Sequence, residues 1–128
     1  MTRALLIMVH GSPRPEANAD VYRVAEAVKG SRTFDHVEVG FLECNQPDIL
    51  KAVENCLATG ATQITAVAYF LHTGSHVCED LPGLLEEARK RHPEVEFLMG
   101  SYVGRSPHVT ALLARRGTEA LTRSRGIS

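Results

Sequence analysis

Apolar positions along this chain fall into two spacings that take turns. Ala4 to Val9 is an unbroken apolar run that stops at His10-Gly11-Ser12-Pro13, the pattern of a strand buried on both faces where it meets a loop. From Glu16 to Lys29 the spacing changes: Ala17, Val21, Val24, Ala25 and Val28 mark one face of a helix, and Gly30 supplies a stop. His36 to Leu42 alternates and then turns apolar, predicting a second strand. Asn45-Gln46-Pro47-Asp48 then opens a helix with Ile49, Leu50, Val53 and Leu57 on its inner face. After Gly60, Ile64 to Leu71 reads as a third strand, followed at once by the polar loop His72-Thr73-Gly74-Ser75-His76. Leu81, Leu84, Leu85 and Ala88 outline a third helix with a basic end at Arg89-Lys90-Arg91, suited to the negative helix terminus. Val95 to Met99 is a short fourth strand, and Val109, Leu112, Leu113 and Leu121 outline a last helix. A polar tail from Thr122 onward is expected to fray.

Strands that alternate with helices imply right-handed crossovers and a parallel sheet. The expected fold is a three-layer α/β unit with a four-stranded parallel sheet in the order 2-1-3-4 and helices on both faces. In such sheets ligands bind beyond the carboxyl ends of the strands, where the strand order reverses. That rim should carry His10 after the first strand, Glu43 after the second and the His72 to His76 loop after the third.

Bulk composition narrows the function classes. A chain of 128 residues, 44% apolar and 23% charged, suits one compact domain, expected over residues 1–121 with 122–128 as the tail. Fourteen basic against fifteen acidic residues leave no electrostatic footprint for nucleic acid or an anionic membrane. Aromatics at 5%, with no Trp, argue against base stacking. Three cysteines without a CxxC pair signal neither a disulfide framework nor a zinc ribbon, and the first apolar run is too short for a membrane span. A cytoplasmic location is the expectation.

Each candidate residue has a plainer alternative. His10 stands where a strand becomes a Gly-containing loop, so its ring can reach the rim; it could equally be a loop histidine bonded to backbone. His76 stands four residues after His72, and Gly74 between them argues for a loop rather than a shared helix face. Glu43 could complete a first-row metal site or shuttle protons, or simply cap the helix that opens near Pro47. Surface or structural roles are the expectation for His36, His92 and His108. Neither a P-loop nor GxGxxG occurs, so no nucleotide site is signalled. Ser12 lacks the GxSxG elbow that an acyl-transfer nucleophile needs.

Three segments together carry a resemblance: His10-Gly11-Ser12; Phe41-Leu42-Glu43 followed by Pro47; and Phe70-Leu71-x-x-Gly74-x-His76-Val77-x-x-Asp80-Leu81-Pro82. With them the chain resembles the small class II chelatases, the CbiX and SirB group, from about Arg3 to Arg116. The resemblance implies ATP-independent insertion of a divalent metal (Co²⁺, Ni²⁺ or Fe²⁺) into sirohydrochlorin or a related tetrapyrrole, with the metal as substrate and no nucleotide. It implies metal binding and proton acceptance at His10, metal binding at His76, and metal or substrate contact at Glu43. Macrocycle contacts are implied at Gln46 and along Leu71, His72, Thr73, Gly74 and Ser75, and short members of the group pair as homodimers. Arg14 and Arg105 are candidates to orient the carboxylates of the macrocycle.

The family usually has Pro where Ala68 stands, Arg where Pro13 stands, and a small or apolar residue in place of His72, so the loop expected to touch the macrocycle is altered. Two rival readings follow: a metal or tetrapyrrole binding protein without turnover, or a partner lobe of another chelatase.

Overall fold

A computed structural model describes residues 2–127. Four strands, β1 (Arg3–Val9), β2 (His36–Phe41), β3 (Gln63–Ala68) and β4 (Glu96–Met99), alternate with four helices, α1 (Pro15–Lys29), α2 (Ile49–Ala58), α3 (Leu81–Arg91) and α4 (Pro107–Ile127). All strand pairs are parallel, and the sheet order is β2-β1-β3-β4, as the alternating pattern predicts.

Because side chains of a strand point alternately to opposite faces, the apolar run of β1 serves two cores at once. Ala4, Leu6 and Met8 face α2 and α3, joining Ile49, Ala52, Val53, Cys56, Ile64, Leu81 and Leu85. Leu5, Ile7 and Val9 face the other way and meet Val37, Val39, Phe41 and the α1 residues Val21, Ala25 and Val28. A Leu, Ile or Met fully removed from water contributes about 1.5–3 kcal/mol, so the central strand is where substitution would cost most.

The helices are not equally engaged. α2 is started by Asp48, whose carboxylate accepts from the Lys51 amide 2.8 Å away, so the cap is Asp48 and not Glu43. α4 packs against little of the rest: Leu112, Leu113 and Leu121 are exposed, Leu113 at 74%. Leu98 on β4 and Tyr69, just beyond β3, are exposed as well. Between the start of α4 and the β3 end lies an apolar cavity of about 480 Å³, lined by Tyr69, Leu71, Val103, Val109, Leu112, Leu113 and Arg116. α4 also runs past Leu121, where the apolar spacing ends. Residues 122–127, expected as a fraying tail, continue the helix, and Ser128 lies outside the described residues. No helix among the described residues is long and apolar enough to cross a membrane.

Two further boundaries differ from the pattern. β3 ends at Ala68 although the apolar run continues to Leu71, because Phe70 is apolar for packing against the α2/α3 core rather than for strand pairing. His76, expected in a loop, opens a single π-helical turn, His76–Asp80, in which the Leu81 amide bonds back to the His76 carbonyl. Pro82 follows immediately and has no amide hydrogen to continue a regular α-helical ladder backward.

Candidate metal centre

The three strand ends deliver three donors to one place. His10 follows β1, Glu43 follows β2, and His76 follows the loop after β3; their ligand atoms all lie within 4.8 Å of one another. His10 Nε2 is 3.3 Å from Glu43 Oε2, and the His10 and His76 rings are 5.4 Å apart at an angle of 55°. Solvent reaches the group: the His10 and Glu43 side chains are 49% and 55% exposed.

Backbone geometry explains why His10 and Glu43 meet. The Leu42 amide donates to the Val9 carbonyl at 2.8 Å and the Glu43 amide to the His10 carbonyl at 2.9 Å, so the two chains remain zipped past the end of the sheet. Gly11 makes this approach possible. Its φ is +99°, and a Cβ there would sit 2.0 Å from the Glu43 carbonyl oxygen, which no side-chain-bearing residue could tolerate. Asn45 Oδ1 then accepts from the Ser12 amide at 2.9 Å, fastening the two loops together. Ser12 itself belongs to this framework, since its hydroxyl accepts from the Arg14 amide at 3.1 Å.

Hydrogen bonding also orients both rings. His10 Nδ1 lies 3.0 Å from the Gly11 carbonyl, which can only accept, so Nδ1 carries the hydrogen and Nε2 is left facing the Glu43 carboxylate, two acceptors that a shared cation or a proton on Nε2 would bridge. His76 Nδ1 lies 2.7 Å from Asp80 Oδ2, and Phe70 flanks the His76 ring at a centroid separation of 6.5 Å. Two imidazoles and a carboxylate form a donor set suited to first-row divalent ions, with room for further ligands.

The remaining predicted residues surround this group or stand apart from it. Leu71, His72, Thr73, Gly74 and Ser75 are exposed and, with Phe70, His76 and Val77, line a cavity of about 290 Å³ directly beside the donors. The loop is supported from outside by the 3-10 turn Val103–Arg105. There the Gly104 amide donates to the Phe70 carbonyl at 2.9 Å, and a Cβ on Gly104 would collide with the Leu71 backbone. Gln46 is exposed two residues before α2's cap, and its side chain accepts from the Asp48 amide. Arg14 is exposed at the N-cap of α1, and Arg105 is exposed on the 3-10 turn.

His36 pairs with Glu38 at 2.7 Å on β2, His92 ends α3 and lies 4.0 Å from Glu94, and His108 sits exposed at the start of α4; none of these joins the donor group. The sequence places Asn45 only in the opening of α2 and Asp80 only within the motif after His76, and marks neither as part of the site. For Asp80 the available signal was its place four residues after His76, one turn along any helical segment.

Comparison with known proteins agrees with this architecture. The chain is 32% identical over 126 residues to a sirohydrochlorin cobaltochelatase of Saccharolobus islandicus (strain L.S.2.15 / Lassen #1), covering 94% of this chain and 97% of that one. It is 29% identical over 118 residues to a sirohydrochlorin cobaltochelatase of Priestia megaterium, covering 92% of this chain but spanning only 38% of that longer protein. In three dimensions it is similar to the sirohydrochlorin chelatase SirB from Bacillus subtilis subspecies spizizenii, solved in complex with cobalt. That likeness has a TM-score of 0.85 at 28% identity and covers 93% of this chain and 51% of SirB. The family model CbiX matches residues 4–120, a span that holds all three donors and every strand residue but Arg3, so the chain belongs to the CbiX family.

Proposed function

We propose that this protein inserts a divalent metal, Co²⁺ foremost, into sirohydrochlorin or a closely related tetrapyrrole, and that His10, Glu43 and His76 hold the ion before transfer. The observation that carries the reading is the convergence of three metal-competent atoms within 4.8 Å at an open sheet rim. Insertion exchanges two pyrrole N–H protons for one cation, so the site must release its metal and receive protons. Neutral imidazole does both, since it ligates first-row ions and titrates near neutral pH. As the macrocycle nitrogens take over the ion, His10 Nε2 becomes free to accept the two pyrrole protons one after the other. The Glu43 carboxylate 3.3 Å away passes each toward solvent.

The macrocycle is assigned to the loop Leu71, His72, Thr73, Gly74 and Ser75, with Gln46 and Arg14 meeting its peripheral carboxylates. Residues 1–121 act as one chelatase domain, and the protein works in the cytoplasm without a nucleotide. Against the partner-lobe reading stands the Saccharolobus relative, a cobaltochelatase whose length this chain matches almost end to end. Pairing as a homodimer is part of the proposal; its support is the exposed Leu112, Leu113 and Leu121 of α4 together with Leu98 of β4 and Tyr69 just beyond β3, which are exposed as well. Reciprocal apolar patches of this kind are what a two-fold interface requires.

The test is an anaerobic absorbance assay with sirohydrochlorin and Co²⁺. The wild type should accelerate insertion over background, and His10→Ala or His76→Ala should each lower the rate by about a hundredfold. Folded variants that keep the wild-type rate would refute the assignment.

A further inference from the structure

We infer that Asp80 is a positioning residue for metal transfer: its carboxylate fixes the His76 ring so that Nε2, and not Nδ1, faces the ion. The inference rests on the proposed metal centre and adds a fourth residue to it. The central observation is the contact of 2.7 Å between His76 Nδ1 and Asp80 Oδ2. An ionised carboxylate has no hydrogen to give, so Nδ1 must carry it, which leaves Nε2 as the only unprotonated nitrogen on that ring. This is the general arrangement by which an outer carboxylate selects a metal-binding tautomer and raises the basicity of the ligand.

Two plainer roles for Asp80 fit less well. It occupies the N-cap position of α3, where an acidic side chain commonly accepts from the first helical amides, yet it makes no such bond. Nor does the pair serve as a stabilising ion pair, because both side chains are partly in water, 38% and 47% exposed, and exposed pairs contribute little.

The backbone between the two residues is also unusual. His76 and Asp80 begin and end the only π-helical turn among the described residues, closed by the bond from the Leu81 amide to the His76 carbonyl. Single π turns cost hydrogen-bond quality and occur where side-chain placement matters. His10 provides the contrast within the same site, since its Nδ1 is held by the Gly11 carbonyl, a neutral acceptor. The two histidines thus have unequal ligand strength. His76, with a charged partner, is the firmer holder; His10 is the one that lets go first and takes up the proton.

The experiment is a titration of Co²⁺ alone into full-length wild type, Asp80→Ala, Asp80→Asn, His76→Ala and the double variant His76→Ala/Asp80→Ala, with thermal unfolding as the folding control. Asp80→Ala should weaken Co²⁺ binding at least tenfold, within the range seen for outer partners of metal-bound histidine. Asp80→Asn, which keeps an acceptor oxygen, should recover most of that loss. In the His76→Ala background, removing Asp80 should change affinity by less than twofold, because the residue it acts through is gone. Equal losses in both backgrounds, or Co²⁺ affinity within twofold of wild type for folded Asp80→Ala, would overturn the inference. If His76→Ala itself leaves Co²⁺ binding intact, the metal centre fails, and that result is separable from a failure confined to Asp80.

Discussion

The two sides of the candidate metal centre are held by different means. The His10/Glu43 side is zipped by consecutive backbone bonds from β1 to β2 and locked where Gly11 presses on the Glu43 carbonyl. The His76 side hangs on a seven-residue stretch between Ala68 and His76 that belongs to no regular element. It is supported by the Gly104 turn from outside and by the Asp80 bond within. Rigid backbone on one side and side-chain support on the other give a site whose base is fixed and whose far wall can yield. Insertion of a flat macrocycle beside a bound ion asks for that combination, because the wall carrying His76 also lines the adjoining cavity.

The sharpest way to break the fixed side is Gly11→Ala. A Cβ 2.0 Å from the Glu43 oxygen, at a φ of +99°, has no room and no favourable conformation. We expect a loss of about 2–4 kcal/mol in urea unfolding, with metal binding lost in whatever remains folded. Gly104→Ala attacks the yielding side. Its Cβ would collide with the backbone of Leu71, so the expected cost is similar, about 2–3 kcal/mol, while the apparent KM for the macrocycle rises. Gly74→Ala is the control in the same loop: nothing lies within 4 Å of its would-be Cβ, so unfolding should change by less than about 0.5 kcal/mol.

The smallest effect expected concerns two thiols, one beside the fixed side and one in the core. Cys44, beside Glu43, is exposed, whereas Cys56 is buried under β2, where burial and then the Glu38 charge push its thiol up to about 12. At pH 8, alkylation mapped by mass spectrometry should mark Cys44 and spare Cys56. The folded state keeps the Cys56 proton while the unfolded chain loses it above about pH 9, so stability should decline from there toward pH 12.

Much of this architecture is legible in the sequence because apolar spacing and burial are the same information. The unbroken run Ala4 to Val9 marks a strand with two buried faces, and both faces are filled. Strand order follows from alternation and crossover handedness, and His10, Glu43 and His76 could be placed at one rim because strand ends share a side. What escaped has physical reasons. The π turn at His76 is a matter of which carbonyl the Leu81 amide reaches, and spacing read at 3.6 residues cannot distinguish it from a loop. Phe70 and Leu71 read as strand because apolar character does not say whether a residue pairs, packs as Phe70 does, or stays exposed as Leu71 does. Asn45 and Asp80 are polar residues in turns, and polar side chains advertise no partner until the backbone has been folded around them. The lone course of α4 was likewise hidden, since an amphipathic stripe records that a helix is to be covered and not by what.

The openness of the donor group has a consequence for metal choice. With His10 and Glu43 about half in water, nothing encloses the ion, and no rigid cage of fixed radius compares one cation with another. Affinity among first-row ions then follows their general ranking, in which copper and nickel outcompete cobalt. A protein built this way depends on its surroundings for fidelity: the ion it delivers is decided by which ions the cell leaves uncomplexed at the moment of loading.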